Sequence, residues 1–529
     1  MKSHVRQIQE TFDRNWDRDF LIEARSGDHI TYGELAQKSK QFACFLMEHG
    51  VEKSDKVALI MDNRKEFIFA MFACFYIGAI IVPIKPDLMI GETEYIIDHV
   101  EAVCVIGDGE NDLAWIKDIS SSPMLIIFNL SSGLCPEDTS YFINKEFFKQ
   151  SNTGYKRDGV EFDIIKDDDI AVIAYTSGTT SNPKGVMKYY KNIIVNSNTF
   201  SRFVQWNNNV RLLTILPLSH MTGWYNSIVI PFFTGATVIL GDAFNAKSLL
   251  DIWNDAEKYN INTLWLVPTI IAMLLRLDRG VKGSLYCKEH VNMVLSGAAP
   301  LNSAEKMLFE KRYSVPVLQN YGITETTFVA ANSLAFPVRN NSVGKVLPNI
   351  VVNIVNDDNK LCEVGETGEI YVKTPSLMAG YLKIERGQEG ISDQWGYRTN
   401  DVGRFDIDGY LYLTDRKADT IIRGGINTSP KEIEDYILQN YYVAEVAVVG
   451  LPHEIYGEEI AAFIKLRENV MYTEEQMMDY CKKRLSHSKF PRRVIFLGEV
   501  PKHLSGKVQK KILRKQYANL YISNTYPAN

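Results

Sequence analysis

Short apolar runs alternate with longer amphipathic stretches along much of the chain. Residues 57–61 (VALIM), 102–106 (AVCVI) and 263–267 (TLWLV) are continuous apolar runs of strand length. Residues 32–50 instead repeat apolar positions at helical spacing. Because strand and helix patterns alternate in this way, the sequence predicts layers of parallel strands covered by helices.

One stretch imitates a membrane-spanning helix. Residues 67–84 (FIFAMFACFYIGAIIVPI) carry no formal charge and are about as long as a bilayer requires. Gly78 interrupts the stretch, and glycine commonly ends a helix. We therefore predict a helix that begins near Arg64 and ends at Gly78, followed by a buried strand over residues 79–83. Such a unit belongs in a globular core, so no transmembrane segment is predicted.

The pattern changes after about residue 340, where short strands and turns predominate. Residues 368–372 (GEIYV) and 405–412 (FDIDGYLY) fit this description, and Asp408-Gly409 is the turn of a predicted hairpin. Asp406 and Asp408 resemble the start of a calcium loop. The later glycine and the bidentate acid of such a loop are missing, so we assign no calcium there.

Composition indicates a globular protein of two or more domains. The chain has 529 residues, of which 46% are hydrophobic and 23% charged, enough for large cores. The net charge of -6 is modest for this length, so no overall field favours nucleic acid or an anionic membrane. The N-terminal residues 1–20 lack the apolar segment of a secretory signal.

The cysteines indicate a reducing compartment. The seven cysteines lie far apart in the sequence, form no CxxC pair and are odd in number, as expected of free thiols. We therefore expect a cytoplasmic protein without structural zinc.

Residues 482–515 are strongly basic, with twelve Lys or Arg residues against the single acid Glu499. Three interpretations remain open: a solvated helix surface, an RNA-binding patch, or a docking surface for an anionic cofactor or an acidic carrier protein. Few aromatic residues lie between these cations, which disfavours nucleic acid as a partner.

A hydroxyl-rich loop, residues 175–185 (YTSGTTSNPKG), directly follows the apolar run 170–174. Backbone N–H groups, hydroxyls and one lysine are what a polyphosphate requires from a protein. In a Walker A loop the lysine follows a glycine and precedes Ser or Thr, whereas Lys184 lies between Pro183 and Gly185, so that fold is disfavoured. Taken alone, the loop is equally well explained as a surface turn.

Five separated motifs resolve this ambiguity. They are residues 175–185, 216–223 (LPLSHMTG), 320–326 (NYGITET), 397–403 (YRTNDVG) with Asp415 and Arg416, and 501–507 (PKHLSGK). In this order and spacing, the chain resembles the AMP-forming adenylating enzymes: acyl-CoA synthetases, adenylation domains and luciferases. The resemblance extends over nearly the whole chain, and its closest match is to acyl-CoA ligases.

The resemblance implies an α/β fold in two domains. Residues 1–415 would form a large N-terminal domain of α/β layers with parallel sheets and a small β-subdomain, which binds ATP and the acid. Residues 416–529 would form a small mobile α+β domain that carries the catalytic lysine.

The resemblance also implies where ATP and Mg²⁺ bind. The loop would hold the β- and γ-phosphates through Thr176, Ser177, Gly178, Thr179, Thr180 and Lys184. Glu325 would be the Mg²⁺ ligand, with Thr179 beside it, and Thr324 would lie at the α-phosphate. The segments on the adenine side are Gly297, Ala298, Ala299, Asn320, Tyr321 and Gly322, with Tyr321 stacking on the base.

The remaining implied contacts lie toward the C-terminus. Asp401 would accept hydrogen bonds from the ribose hydroxyls, with Arg416 as its companion. Lys507 would bridge the substrate carboxylate and the α-phosphate, while Gly424 and Gly425 would serve the thioester step. Two positions depart from the family pattern: Ser181 replaces the usual glycine of the phosphate loop, and Ala418 replaces the usual polar hinge residue.

The acid is suggested by His220, which stands where amino-acid-activating relatives carry an aspartate that pairs with the substrate ammonium. The imidazole in place of that aspartate disfavours an amino acid as the substrate. Met221 stands where activators of phenolic aryl acids carry an asparagine, which disfavours those acids. Met221 and Trp224 favour an apolar pocket, although both would also serve as core residues. We therefore expect a fatty or other apolar carboxylic acid, and coenzyme A as the acceptor. The alternative acceptor is a phosphopantetheinyl group on an acidic carrier protein.

Overall fold

The computed structural model describes residues 3–108, 113–119, 123–129, 141–144, 147–148, 162–176, 183–299, 301–384, 390–416, 421–423, 426–428, 430–453, 457–468, 470–483, 485, 490–502 and 508–521. The α-helices of these residues are α1 Arg6–Asn15, α2 Tyr32–Glu48, α3 Lys65–Ile77, α4 Ile90–Val100, α5 Tyr190–Phe203, α6 Met221–Trp224, α7 Ile230–Thr234, α8 Ala246–Lys258, α9 Pro268–Leu277, α10 Lys282–His290, α11 Ser303–Tyr313, α12 Pro430–Leu438, α13 Glu474–Lys482 and α14 Lys510–Gln516. Short 3-10 turns span Ala114–Asp118 and Phe162–Ile164, and a π-helical turn spans Tyr225–Val229.

The strands are β1 Asp19–Glu23, β2 His29–Thr31, β3 Lys56–Ile60, β4 Ile80–Ile84, β5 Cys104–Asp108, β6 Met124–Asn129, β7 Tyr141–Asn144, β8 Ile170–Thr176, β9 Lys184–Tyr189, β10 Arg211–Thr214, β11 Thr237–Leu240, β12 Thr263–Trp265, β13 Met293–Ser296, β14 Val317–Ile323, β15 Thr327–Ala331, β16 Lys345–Val346, β17 Val351–Val355, β18 Gly368–Lys373, β19 Gly380–Tyr381, β20 Ile391–Ser392, β21 Gly396–Phe405, β22 Leu411–Arg416, β23 Ile421–Arg423, β24 Ile426–Thr428, β25 Val443–His453, β26 Gly457–Leu466 and β27 Arg493–Phe496.

Two large sheets form the first part of the molecule. Among the described residues, the first sheet has the order β19-β9-β8-β4-β3-β5-β6-β7, and the second has the order β16-β15-β14-β13-β12-β10-β11-β1-β2. Neighbouring strands from β8 through β7 in the first sheet are parallel, as are those from β14 through β1 in the second. The predicted layers of parallel strands are confirmed.

Helix α3 lies in the core that joins these sheets. Every residue of α3 after Lys65 is buried, and one apolar cluster extends from this helix to strands of both sheets. Gly78 follows with a φ of +78°, a left-handed conformation that ends the helix, and β4 begins at Ile80. The predicted helix-to-strand unit is therefore correct. In the part of the chain described, no helix is long and apolar enough to cross a membrane.

A third, antiparallel sheet follows, with the order β17-β18-β21-β20 and β22 paired to β21. The predicted turn at Asp408-Gly409 joins β21 to β22, and Gly409 has a φ of +78°. Asp406 accepts hydrogen bonds from the backbone N–H groups of Asp408 and Tyr410, which fixes the turn. Arg339 forms ion pairs with both Asp406 and Asp408, so these carboxylates are engaged within the fold.

The fourth sheet belongs wholly to the C-terminal part of the chain. Its order is β24-β23-β26-β25, with β27 parallel to β26. Helices α12 and α13 pack on one apolar cluster of this sheet, and α14 packs on another. The predicted combination of α/β layers, a small β-subdomain and a small α+β C-terminal unit agrees with this arrangement.

Candidate active site

The predicted phosphate loop connects two paired strands of the first sheet. Strands β8 and β9 form an antiparallel hairpin in which Thr176 pairs with Lys184, so the structure brings the two ends of the loop together. Ser177, Gly178, Thr179 and Thr180, like the departure Ser181, lie outside the described residues. The ammonium of Lys184 lies over the ring of Tyr381, 5.2 Å from its centroid.

Glu325 lies beside this hairpin, in the turn between β14 and β15. Its carboxylate accepts a hydrogen bond from the Tyr381 hydroxyl at 2.8 Å, and that hydroxyl lies 2.9 Å from the hydroxyl of Tyr397. Burial, followed by the charge of Glu325, raises the pKa of Tyr381 well above its usual range, so Tyr381 remains a neutral donor. A carboxylate, a cation and two phenols therefore meet at the end of the phosphate hairpin.

The turn that carries Thr324 and Glu325 has a tightly constrained backbone. A Cβ atom on Gly322 would lie 2.3 Å from the carbonyl oxygen of Thr327, so only glycine fits there. Thr327 has a φ of +61°, an unfavourable conformation for a β-branched residue that is often found at functional sites. Thr324 is half-buried.

Asp401 is presented by an irregularity in strand β21. Residues 398–402 of β21 lie opposite only residues 369–371 of β18, and Asn400 has a φ of +60°. Such a bulge turns a side chain away from the regular alternation of the strand. The Asp401 carboxylate is buried and accepts a hydrogen bond from the Tyr321 hydroxyl at 2.7 Å. The structure thus joins the predicted ribose acceptor to the predicted adenine-stacking residue.

The remaining adenine-side residues lie at the ends of β13 and in β14. A Cβ atom on Gly297 would lie 2.1 Å from the side-chain oxygen of Asn320, and Ala298 has a φ of +68°. The side-chain Nδ2 of Asn320 is buried and has no hydrogen-bond partner among the residues that the structure describes. A buried donor without a partner commonly marks the place of a ligand or water, which fits the predicted nucleotide. Ala299 follows on the same turn.

His220 caps the short helix α6. Its Nδ1 lies 2.8 Å from the Thr222 hydroxyl and accepts from the Thr222 backbone N–H at 3.3 Å. Burial of the ring, followed by the charge of Lys85, lowers the pKa of His220 to about 4. The imidazole is therefore neutral at physiological pH. Trp224 has no exposed surface and packs against Tyr225, so it is a core residue and does not line a pocket.

The C-terminal candidates are only partly described. Arg416 pairs with Asp401 through the backbone of β22 and β21, which places the two predicted ribose contacts in register. Gly424, Gly425 and Lys507 lie outside the described residues, as does Ala418. Lys502, which precedes Lys507 in the same motif, forms an ion pair with Glu445 at 2.9 Å.

Sequence reasoning missed Tyr381, Tyr397, Lys85 and Lys188. Tyr397 begins one of the five motifs but carries no charge, and Tyr381 lies in none of them. Only the contact of Tyr381 with Glu325, and that of Tyr397 with Tyr381, reveals them. Lys188 is a lysine at a fully buried strand position, and a charge inside an apolar strand pattern is the signal that identifies it.

Comparisons with known proteins show the family of the chain. Residues 8–382 match the AMP-binding enzyme family, and residues 432–507 match the AMP-binding enzyme C-terminal domain. The chain is 31% identical to 2-succinylbenzoate–CoA ligase of Bacillus licheniformis, over 96% of this chain and 99% of that protein. It is 27% identical to the long-chain-fatty-acid–CoA ligase FadD13 of Mycobacterium tuberculosis, over 94% of this chain and 95% of that protein.

Solved structures give the same result. ATP-bound MatB from Rhodopseudomonas palustris superposes with a TM-score of 0.86 at 26% identity, covering 98% of this chain and 99% of that one. The chain belongs to the AMP-binding enzyme family, and the prediction of an AMP-forming acid–thiol ligase is confirmed at the level of that class. The predicted cofactors, ATP with Mg²⁺ and coenzyme A, are those of the class. The identity of the acid is not fixed by these relatives, whose substrates differ.

Proposed function

We propose that this enzyme activates a carboxylic acid in two steps. The acid carboxylate attacks the α-phosphate of ATP, which forms acyl-AMP and releases pyrophosphate. The thiol of coenzyme A then attacks the acyl carbon, which forms the thioester and releases AMP. The alternative acceptor remains the phosphopantetheinyl thiol of a carrier protein.

One observation carries the proposal: two side-chain links join the segment 321–325 to the third sheet and to β19. Tyr321 donates to Asp401, and Glu325 accepts from Tyr381, which contacts Tyr397. The ribose acceptor and the phosphate-side carboxylate are thus held on one connected framework. Preorganised groups of this kind stabilise the charge that develops as AMP is transferred to the acid and pyrophosphate leaves.

The proposed roles follow from charge and position. Lys184, with Thr176 and the loop residues Ser177, Gly178, Thr179 and Thr180, holds the leaving pyrophosphate. Among the described residues no cluster of three or more metal-ligating side chains occurs, so Glu325, with Thr179 beside it, would hold Mg²⁺ together with phosphate oxygens. Lys507 would neutralise the repulsion between the two reacting anions, and Arg416 would assist Asp401.

We propose an apolar carboxylic acid as the first candidate substrate. The neutral His220 imidazole, beside the half-buried Met221, provides no charge that would pair with an ammonium or an anionic tail. Neutral and partly apolar side chains at these two positions favour a fatty or similar acid over an amino acid.

Lys85 favours a second candidate, an acid with a further anionic group. Its ammonium is close enough to His220 to contribute to the lowered pKa of that imidazole, and it is half-buried at the end of β4. A cation in a partly desolvated position attracts a second carboxylate or a sulfonate. The 2-succinylbenzoate named for one relative has two carboxylates.

Three further predictions remain part of the proposal. The boundary between the two domains lies at residues 415 and 416, where β22 ends. The described cysteines form no disulfide with one another, which supports the cytoplasm as the location. No nucleic-acid partner is expected, since several cations of the basic segment pair with acids, as Lys502 does with Glu445 and Lys510 with Glu434.

The experiment is ATP–pyrophosphate exchange with pools of acids and no thiol. The pools are apolar fatty acids, aryl acids, dicarboxylic or sulfonated acids, and amino acids. Exchange with the fatty pool supports the first candidate, and exchange with the anionic-tailed pool that falls on Lys85→Met supports the second. Product analysis with coenzyme A or a carrier protein then identifies the acceptor. Absence of exchange in every pool, in protein that binds ATP, would overturn the proposal.

A further inference from the structure

Three buried polar side chains follow one another along β9 and α5. Lys188, Asn192 and Asn196 are spaced four residues apart, and each is at most 1% exposed. Lys188 lies near the end of β9, and the two asparagines lie on one face of the first turns of α5. We call these residues the polar row.

The polar row holds backbone groups of two irregular segments. The Lys188 ammonium donates to the carbonyl oxygens of Glu325 at 3.1 Å and Ser376 at 2.8 Å. The Asn192 amide donates to the Pro375 carbonyl at 3.1 Å. Lys188 is therefore the member that joins the Glu325 turn to residues 375–376.

Asn196 holds the other side of the same turn. Its Nδ2 donates to the carbonyl oxygen of Phe328 at 2.9 Å, and its Oδ1 accepts from the Phe328 backbone N–H at 3.1 Å. Thr327, with its φ of +61°, lies between Glu325 and Phe328. A backbone conformation of this kind persists only where the surrounding structure holds it in place. Lys188 and Asn196 anchor the two ends of the strained turn.

Glu325 is thus restrained at both its backbone and its carboxylate. Its carbonyl oxygen accepts from Lys188 and from the Met378 backbone N–H at 2.8 Å. Its carboxylate accepts from Tyr381, whose backbone pairs with Val186 of β9. Both restraints involve residues of β9, the strand that begins at Lys184.

Burial makes a lysine an unfavourable residue at this position. Desolvation lowers the pKa of Lys188 to about 7, and the charge of Glu325 opposes this shift. An apolar side chain of the same length would avoid the desolvation cost. Against this cost, Lys188 donates two hydrogen bonds to carbonyl oxygens of irregular backbone segments.

We propose that Lys188 is a positioning residue for Glu325. It fixes the backbone of the turn, and with it the Glu325 carboxylate that would hold Mg²⁺ with the nucleotide. The inference rests on the proposed role of Glu325 in holding Mg²⁺.

The test compares Lys188→Met with Lys191→Met in the full-length enzyme. Methionine has a similar length but donates no hydrogen bond, and Lys191 is a partly exposed lysine paired with Asp168 on the surface. The readout is the Mg²⁺ dependence of ATP binding, measured without acid by displacement of a fluorescent ATP analogue. Because this readout requires no acid, it remains valid even if the proposed reaction fails.

We expect Lys188→Met to raise the Mg²⁺ concentration for half-maximal ATP binding at least tenfold, with Lys191→Met within twofold of the parent enzyme. Where adenylation is measurable, KM for the acid should stay within twofold. In the Glu325→Gln background, Lys188→Met should have no further effect on the Mg²⁺ dependence, because the group that it positions is already altered.

Lys188→Gln retains one amide donor and should give an intermediate Mg²⁺ dependence. An unchanged Mg²⁺ dependence in folded Lys188→Met, or an equal effect in the Glu325→Gln background, would overturn the proposal. If neither variant retains the native fold, Lys188 is a core-stabilising residue and the proposal is likewise overturned.

Discussion

At the scale of single residues, the protonation state of His220 determines how its neighbourhood responds to pH. The folded-state pKa of about 4 lies below the ordinary value of 6.5, because burial and Lys85 disfavour the imidazolium. A charged imidazole is therefore absent from the folded enzyme throughout the physiological range.

The stability of the protein should depend on pH through His220. As pH falls below 6.5, His220 becomes protonated in the unfolded chain, whereas in the folded chain it stays neutral down to about pH 4. The free energy of unfolding therefore decreases as pH falls from 6.5 to about 4. We expect a loss of about 2 kcal/mol between pH 7 and pH 5 from this group. Urea unfolding at both pH values should show a smaller loss in His220→Gln. The exposed His290→Gln variant is the control, and equal losses in all three proteins would contradict the prediction.

Asp401 should contribute to nucleotide binding through its charge. Asp401→Asn keeps the size of the side chain but removes the charge and one acceptor, whereas Tyr321→Phe removes only the hydroxyl that donates to Asp401. Hydrogen bonds to charged groups contribute about 1.5–3 kcal/mol, so we expect ATP affinity to fall roughly tenfold or more in Asp401→Asn. Tyr321→Phe should cause a smaller loss. Calorimetric ATP titration measures both, and an unchanged affinity in Asp401→Asn would exclude the proposed ribose contact.

At the scale of elements, the short helix α6 packs so closely at Gly223 that no side chain fits there. A Cβ atom on Gly223 would lie 2.0 Å from the carbonyl oxygen of Pro217. The helix therefore lies directly against the backbone of the same motif, residues 216–223, and this contact fixes the position of His220. The π-helical turn Tyr225–Val229 follows immediately, and such turns often lie at functional sites.

Two glycine-to-alanine substitutions should have opposite effects on stability. Gly223→Ala should destabilise the fold by about 1–3 kcal/mol, because the backbone must shift to admit the methyl group. Gly91→Ala, in α4, meets no atom within 4 Å and should stabilise the helix by up to about 1 kcal/mol. Denaturant midpoints measure both changes. A neutral Gly223→Ala would show that α6 can move away from Pro217.

At the scale of the whole molecule, ion pairs connect the C-terminal unit to the rest. Glu445 of β25 lies 3.8 Å from Arg276 of α9 and 2.9 Å from Lys502. Glu305 of α11 lies close by: burial raises its pKa, and Arg276 and Lys502 oppose the shift. The segment that leads to Lys507 is therefore held by charges contributed by both parts of the chain.

Glu445→Gln should slow the adenylation step more than the thioester step. Loss of the ion pair removes a restraint on Lys502, which precedes the proposed adenylation lysine Lys507 in the same motif. We expect a cost of about 1 kcal/mol, or about fivefold in rate. Pyrophosphate exchange measures the first step, and transfer from supplied acyl-AMP to coenzyme A measures the second. Glu499→Gln, an exposed acid in the same region, is the control. Equal slowing of both steps in Glu445→Gln would contradict the prediction.

The sequence predicted the repeating elements because they depend on local patterns. The helix that ends at Gly78, the strand after it and the Asp408-Gly409 turn were all correct, since glycine geometry and apolar periodicity act within a few residues. Motif order predicted the enzyme class for a similar reason, because each motif is a continuous stretch. Trp224 fitted either a pocket wall or a core from the sequence, because periodicity does not distinguish the two, and its complete burial shows that it is a core residue.

Tertiary structure decided what holds those motifs together. Tyr381 reaches Glu325 from a distant segment and is itself contacted by Tyr397, and Lys188 bridges the Glu325 turn to Ser376. Lys85 acts on His220 from another sheet. These contacts are absent from any local pattern, because hydrogen bonds and charges act across space while sequence periodicity describes only neighbours along the chain. The sequence by itself determined the elements, the class and the candidate residues; the packing of the sheets determined their protonation states and restraints.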